Sequence, residues 1–300
     1  MNKREVWELA HQIMRRLNEH YVDAMGNVAI SLGLESSACF LVIIPAYLFE
    51  PDPISPARLR MGIPYNSPAY YEEPLQAVKK VGFLDEVPEG GYVLNQRGYA
   101  AFRRMINTAY QQMEQLSPLL LVKLDELKLL LARLVQASIL SPEHIGKWNV
   151  LHSRRLDPGR NVASLIKVDQ YLSDLSAYRD DAHLASWSSY LIDAHAWDIL
   201  GLLWQGQALS RIDILDSVKK RRWTDDETQE AINELVNKGW VMDEGKLTIN
   251  EEGRRVRIEA EELTDNYFFS PWCVLTDVEF IQLCESMTRL DENLAKLKPG

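Results

Sequence analysis

Two stretches of the chain repeat one order of apolar and polar positions. In residues 210 to 258 the order is LSRIDILDSV, TDDETQEAINELVNKGWV and MDEGKLTINEEGRRVRI. A fainter copy spans residues 55 to 105, as ISPARLRMGI, NSPAYYEEPLQAVKKVGFL and DEVPEGGYVLNQRGYAAF. Each predicts a short helix, a turn, a second helix closed by glycine, and a tight two-stranded ribbon leading into a further helix. That order describes a winged helix.

Local signals set the element ends. Ser55 followed by Pro56, and Ser67 followed by Pro68, open helices, and Gly82 closes the second of them. Ser210 caps Arg211 to Val218, and Thr224 with Glu227 forms a capping box for a helix ending near Lys238-Gly239. On that helix Ile232, Leu235 and Val236 are expected to face inward. Trp240 to Met242 and Lys246 to Ile249 form the ribbon, joined through Asp243-Glu244-Gly245, and Glu251 to Leu263 follows as a helix. Tyr92 to Leu94 is the corresponding strand of the first copy, with Gln96 opening a helix to about Leu116.

Around these units the apolar spacing is helical. Val6, Leu9, Ile13, Leu17 and Tyr21 define an amphipathic first helix, ending in a polar turn near Gly26. Val28 to Phe49 reads as a second segment broken at Gly33 and bent or ended by Pro45. Leu120, Leu124, Leu127, Leu131, Leu134 and Val135 place a long helix over 119 to 140, and Ser141-Pro142 begins another short helical segment. Asp157-Pro158-Gly159 demands a turn, so the domain boundary is expected at 152/153, giving units 1–152 and 153–300. Residues 162 to 204 are helical and rich in aromatics, Thr264 to Pro271 interrupts the pattern, and a last helix runs from about Asp277 to Leu297. The fold class is therefore mainly α with small β-wings: two winged-helix units joined by a helical middle region, as a monomeric pseudo-dimer or a homodimer.

Composition narrows the function. At 300 residues and 46% hydrophobic the chain buries a substantial core, and the apolar run Ala38 to Phe49 is too short for a bilayer, so a soluble cytoplasmic protein without a membrane partner is expected. Cys39, Cys273 and Cys284 lack metal-binding spacing and read as reduced thiols. No GxSxG, HExxH, P-loop or dinucleotide fingerprint occurs, so no catalytic residue, cofactor or metal is assigned and an enzyme is not expected. His183 and His195 stand too far apart in a helical region to converge on one metal from one face, and His144 and His152 have no acidic or thiol partner at ligand spacing.

Double-stranded DNA is the first candidate partner. Gln229, Asn233 and Lys238 project from the second copy's recognition helix and are suited to base edges, while Lys219, Lys220, Arg221, Arg222, Arg254 and Arg257 could hold phosphate. Charge argues the other way. The chain carries a formal charge of -10, and residues 224 to 265 hold thirteen Asp or Glu against five Lys or Arg. Asp225, Asp226, Glu227 and Glu230 stabilise the helix dipole but stand at the end a recognition helix offers to DNA. The first copy has Glu72, Glu73 and Pro74 there and no basic residue in its ribbon turn. A scaffold that binds protein or ligand without DNA is the second reading. Trp187, Tyr190, Trp197 and Trp204 are read either as packing or as the wall of a pocket for a small apolar effector.

The order of elements resembles the MarR-like winged-helix superfamily. From about His183 onward the chain also resembles a bacterial helix-turn-helix-like family of unknown function, whose wing leads into LT-x-x-G, an Arg-rich helix, IEA-x-TD and a Pro-Trp pair. Here these are Leu247-Thr248 through Gly253, Ile258-Glu259-Ala260 through Asp265, and Pro271-Trp272. The resemblance implies a fold rather than an activity.

Overall fold

A computed structural model describes residues 1–142, 146–243 and 246–298. Helix α1, Lys3–Ser31, opens with a capping box between Asn2 and Glu5. It runs straight through Gly26, where the sequence suggested a turn. That glycine is buried, and an added Cβ would stand 2.9 Å from the Cβ of Ser36, so it permits close approach instead of a bend. The chain does break at Gly33, where φ is 82°. A π-helical turn, Cys39–Ile43, then feeds α2, Ile44–Phe49, with Pro45 in its first turn.

The first winged unit follows as α3, Pro56–Leu59, α4, Ala69–Val81, strands β1, Leu84–Glu86, and β2, Tyr92–Leu94, and α5, Gln96–Glu114. The strands pair antiparallel with Leu84 opposite Leu94, and a single bridge from Ile54 to Tyr92 adds a third edge. Next come α6, Leu121–Leu140, α7, Trp148–Ser153, and α8, Ser164–Ser188. Ser141 and Pro142, expected to begin a short helix, are not helical, and the rest of that segment, including His144, lies outside the described residues.

The region expected to be helical as far as Trp204 divides at Leu191, whose φ is 48°, and α9, Ala194–Trp204, restarts under the cap of Asp193. The second winged unit comprises α10, Arg211–Lys219, α11, Asp225–Asn237, β3, Val241–Asp243, β4, Leu247–Ile249, and α12, Glu251–Phe269. Glu244 and Gly245 of its ribbon turn lie outside the described residues. Helix α12 continues through Thr264, where an interruption was expected. The buried Thr264 hydroxyl donates to the Ala260 carbonyl at 2.7 Å and lies 2.9 Å from the Ser186 hydroxyl, so its polar group is satisfied inside the helix. The break falls at the 3₁₀ turn Ser270–Val274, before α13, Asp277–Leu294.

The two units share more than element order. Ser55 and Ser210 accept from Arg58 and Asp213 backbone N–H groups at 3.2 Å in each case. Asn95 and Asn250 cap α5 and α12, and each amide reaches back to the glycine that ends the preceding helix, at 3.2 Å to Gly82 and 2.7 Å to Gly239. Three residues after each asparagine stands a glycine. A Cβ on Gly98 would lie 2.3 Å from the Phe83 carbonyl oxygen, and one on Gly253 2.4 Å from that of Trp240. One spacing separates Ser55 from Ser210, Asn95 from Asn250 and Gly98 from Gly253, and the same spacing carries the segment 39–49 onto α9 and α5 onto α12.

Three cores result. One lies in each winged unit; the third joins α1, α6, α8, the end of α12 and α13. Within it α1 packs on α13 while α6 packs on α8, so residues from both sides of position 152 bury one another. The connection is anchored by the fully buried Asp174, which accepts from the Ser153 hydroxyl at 2.7 Å, Arg154 Nη1 at 2.7 Å and Gln170 Nε2 at 2.8 Å. Asp157 pairs with both Arg154 and Lys167.

Asp169 is a different case. It is buried with one hydroxyl, that of Tyr21, at 3.3 Å, and burial pushes its carboxyl up to about 7. Because the folded-state value is raised, its contribution is fully present below about pH 4 and is lost as pH rises through 7. Asp169→Asn is therefore expected to be more stable than the parent at pH 8 by on the order of a few kcal/mol and equal to it at pH 4. Denaturation at the two pH values checks this, and an equal gain at both would contradict it.

Candidate nucleic-acid interface and interdomain cleft

Helix α11 is built as the sequence suggested. Thr224 and Glu227 close a capping box, with Glu227 N–H donating to the Thr224 hydroxyl at 3.2 Å and Thr224 N–H to the carboxylate at 2.9 Å. Thr228, Ala231, Ile232 and Leu235 are buried; Val236, expected inward, is 38% exposed. One helical turn apart, Gln229 and Asn233 face outward and share a 2.8 Å hydrogen bond. Lys238 is exposed, but its ammonium donates to the Tyr190 carbonyl at 2.6 Å and sits over the Trp240 ring. Its charge is spent beside the end of α8.

The basic residues expected to hold phosphate separate into two groups. Lys219, Lys220 and Arg254 are exposed, and no ion pair among the described residues engages them. Arg221 instead pairs with Asp198 at 2.6 Å, and Arg222, at a φ of 61°, pairs with Glu73 at 3.0 Å. Arg257 is overturned as a phosphate contact. It is 5% exposed, its guanidinium lies 4.3 Å from the Trp197 ring and 5.3 Å from that of Trp204, and it pairs with Glu261 at 3.1 Å. The spacing of Arg254, Arg255 and Arg257 along α12 turns two outward and one inward.

Neither helix-turn-helix stands alone. The turn before α4 is bound to the turn before α11: Ser67 N–H donates to the Arg221 carbonyl at 3.0 Å and its hydroxyl to the Arg222 carbonyl at 2.8 Å. Trp223 Nε1 donates to the Tyr65 carbonyl at 2.8 Å, with Arg60 over one region of the indole and His195 stacked 4.2 Å away. The N-terminal end of α4 is thereby occupied by protein. The sequence marks Ser67 only as the opener of α4, which has no side-chain cap because the Ser67 hydroxyl is turned to Arg222, and it does not single out Tyr65 or Trp223, whose one signal is an indole in the polar run KKRRWT.

Beneath this contact lies a cleft of about 290 Å³ lined by Tyr65, His183, Trp197, Asp198, Gly201, Leu202, Gln205, Gln207, Arg221 and Arg257. Burial, reinforced by Arg257 and Arg179, pushes His183 down to about 4, so its ring is neutral; its Nδ1 faces the Thr264 hydroxyl at 3.4 Å. Burial likewise brings His195 to about 4, with its Nε2 3.3 Å from the Thr228 hydroxyl. Asp198 is raised by burial in spite of Arg221. Of the four aromatics read as a pocket wall, Trp197 borders the cleft and Trp204 flanks it through Arg257. Trp187 and Tyr190 stack on Trp197 from elsewhere in the unit's core, at 5.6 and 5.9 Å. The charged lining departs from the apolar pocket expected from the aromatics alone.

Residues 175–298 match a helix-turn-helix family, and this stretch contains α9 to α13 with the second winged unit. No curated protein and no solved structure matches the chain. No helix among the described residues is long and apolar enough to cross a membrane.

Proposed function

We propose that the chain is a DNA-binding transcriptional regulator of MarR-like architecture, an internal pseudo-dimer of two duplicated winged units joined by a helical middle region, with the domain boundary at 152/153. The helix-turn-helix family match over residues 175–298 carries the reading, and the outward pair Gln229 and Asn233 on α11 is the chemistry that supports it. Both side chains can donate and accept toward an adenine edge. Lys219 and Lys220, at the end of α10, and Arg254, near the start of α12, supply cations not consumed by ion pairs among the described residues.

The first unit has a supporting role in this scheme. Its recognition helix begins against Arg221 and Arg222, so α11 is the element presented to a groove, and the first unit braces it. Selection of bound sites from random duplexes, followed by affinity measurement across salt concentrations, tests the proposal. A preferred site is expected, and the double variant Lys219→Ala/Lys220→Ala should reduce the slope of log affinity against log salt by roughly 2 while lowering affinity on all sequences alike. An unchanged slope removes these lysines from the interface.

One observation favours a second reading. The acidic first turn of α11 and the internal use of Arg221, Arg222 and Arg257 leave few cations facing outward, as suits a scaffold that binds protein or ligand without DNA. No enriched site and no binding of random duplex at low salt would favour that scaffold.

A further inference from the structure

The equivalence of the two units exposes a difference in what they bury. Trp197, Asp198, Arg257 and Glu261 of the second unit stand where the first has Val42, Ile43, Phe102 and Ile106. In the first unit these positions are hydrocarbon: Val42 and Ile43 are fully buried, and Phe102 stacks on Tyr47 with ring centroids 4.1 Å apart. The fold therefore closes here without charge. Placing a guanidinium group and two carboxylates at the same place in the second unit works against stability, because desolvating ions costs more than their pairing recovers unless every hydrogen-bonding group is matched.

They are not all matched. Arg257 has a side chain only 6% exposed, and while its Nη2 meets Glu261, its Nε has no partner. The indole N–H of Trp197, which borders the same cleft, is also buried without an acceptor. These two groups can only donate; the Tyr65 hydroxyl, also buried without a hydrogen-bond partner, can donate as well, while Asp198 Oδ2 and Arg221 Nη1 in the same lining answer each other as an ion pair at 2.6 Å. Arg257 projects into a cleft that Tyr65 and Arg221 also line, directly under the joined turns of the two units.

We propose that this cleft is a binding site, present in the second unit alone, for a small organic carboxylate whose oxygens accept from Arg257. A carboxylate provides the acceptors that the two donors lack, and a guanidinium binds it with charge-assisted geometry that a neutral group cannot equal. The neutral His183 ring, with Nδ1 toward the Thr264 hydroxyl, leaves its other nitrogen for a polar substituent. A volume near 290 Å³ restricts the ligand to a small molecule. Because Tyr65 comes from the first unit and Arg221 from the second, an occupant touches both at the place where the turns join. The site stands whether or not the chain binds DNA.

The test compares benzoate with benzamide, which has the same shape and no charge, by tryptophan fluorescence and thermal unfolding of the full chain. Saturable benzoate binding that raises the melting temperature is expected, with benzamide at least about tenfold weaker. The double variant Arg257→Phe/Glu261→Met replaces the pair by apolar residues of the kind the first unit uses, so it should fold as well as the parent and bind benzoate at least about tenfold more weakly. Equal binding of the two probes, no saturable benzoate binding, or undiminished benzoate binding by the double variant each overturns the proposal. The comparison of probes on the unaltered chain decides the matter even where the variant does not fold.

Discussion

Gly253→Ala is expected to destabilise the chain by about 3 kcal/mol, and Gly98→Ala to do so comparably, although neither glycine adopts a backbone angle that excludes a side chain. The cause is a neighbour. The added methyl at 253 would lie 2.4 Å from the Trp240 carbonyl oxygen and 2.8 Å from a side-chain carbon of Ile249. The carbonyl cannot yield, since it accepts the Asn250 N–H at 3.1 Å in the contact that fastens the wing to α12. Relief would have to part helix from wing and with them Trp240 and Ile249, both in the unit's core. Gly201→Ala is the control: its methyl would meet only Arg257 atoms at 3.7 and 3.8 Å, so it should be neutral or gain up to about 1 kcal/mol in helix propensity. Thermal unfolding checks the series, with a fall of roughly 5–10 °C expected for Gly253→Ala. Equal melting temperatures for Gly253→Ala and Gly201→Ala would refute the steric account.

A comparable loss is expected from Asp174→Ala, at about 3 kcal/mol, because it removes the carboxylate and leaves its donors behind. Asp174 is fully buried and serves Ser153, Arg154 and Gln170 together. Arg154 retains Asp157 as a second partner, which places the cost at the lower end of the range for a broken buried pair. Asp174→Asn keeps an acceptor and should lose less. Urea denaturation distinguishes the three proteins. A cost for Asp174→Ala no greater than that of removing an exposed carboxylate would mean that this network does not anchor the connection between the halves.

Much of the local architecture was legible, for a physical reason. Ser55, Ser210 and Thr224 cap the helices they precede, and Gly82 and Gly239 end helices at φ of 83° and 71°. Each of these decisions is made within a few residues, because the groups satisfied are neighbours along the chain. Gly26 and Thr264 misled for the same reason: locally one reads as a turn and the other as an interruption. Their roles come from Ser36 and Ser186, distant partners that no local pattern contains.

The candidate site was legible only in part. Gln229, Asn233 and Lys238 lie outward where helical period places them, though the Lys238 ammonium is engaged by the Tyr190 carbonyl, whereas Arg221, Arg222 and Arg257 are phosphate candidates on charge alone. A positive side chain in a sequence does not declare its partner. Trp197 and Trp204 were visible as aromatics, but not as the surfaces on which a buried guanidinium lies.

By itself, then, the sequence determined two winged units, the caps Ser55, Ser210 and Thr224, and the face of α11 that meets solvent apart from Val236, since backbone hydrogen bonding and helical period act at short range. Tertiary structure decided that the two turns bind each other, that one arginine of the α12 cluster is buried, and that the second unit holds ions where the first holds hydrocarbon. Those outcomes depend on which distant groups share a desolvated space, and burial can reverse the meaning of a charge without altering a residue.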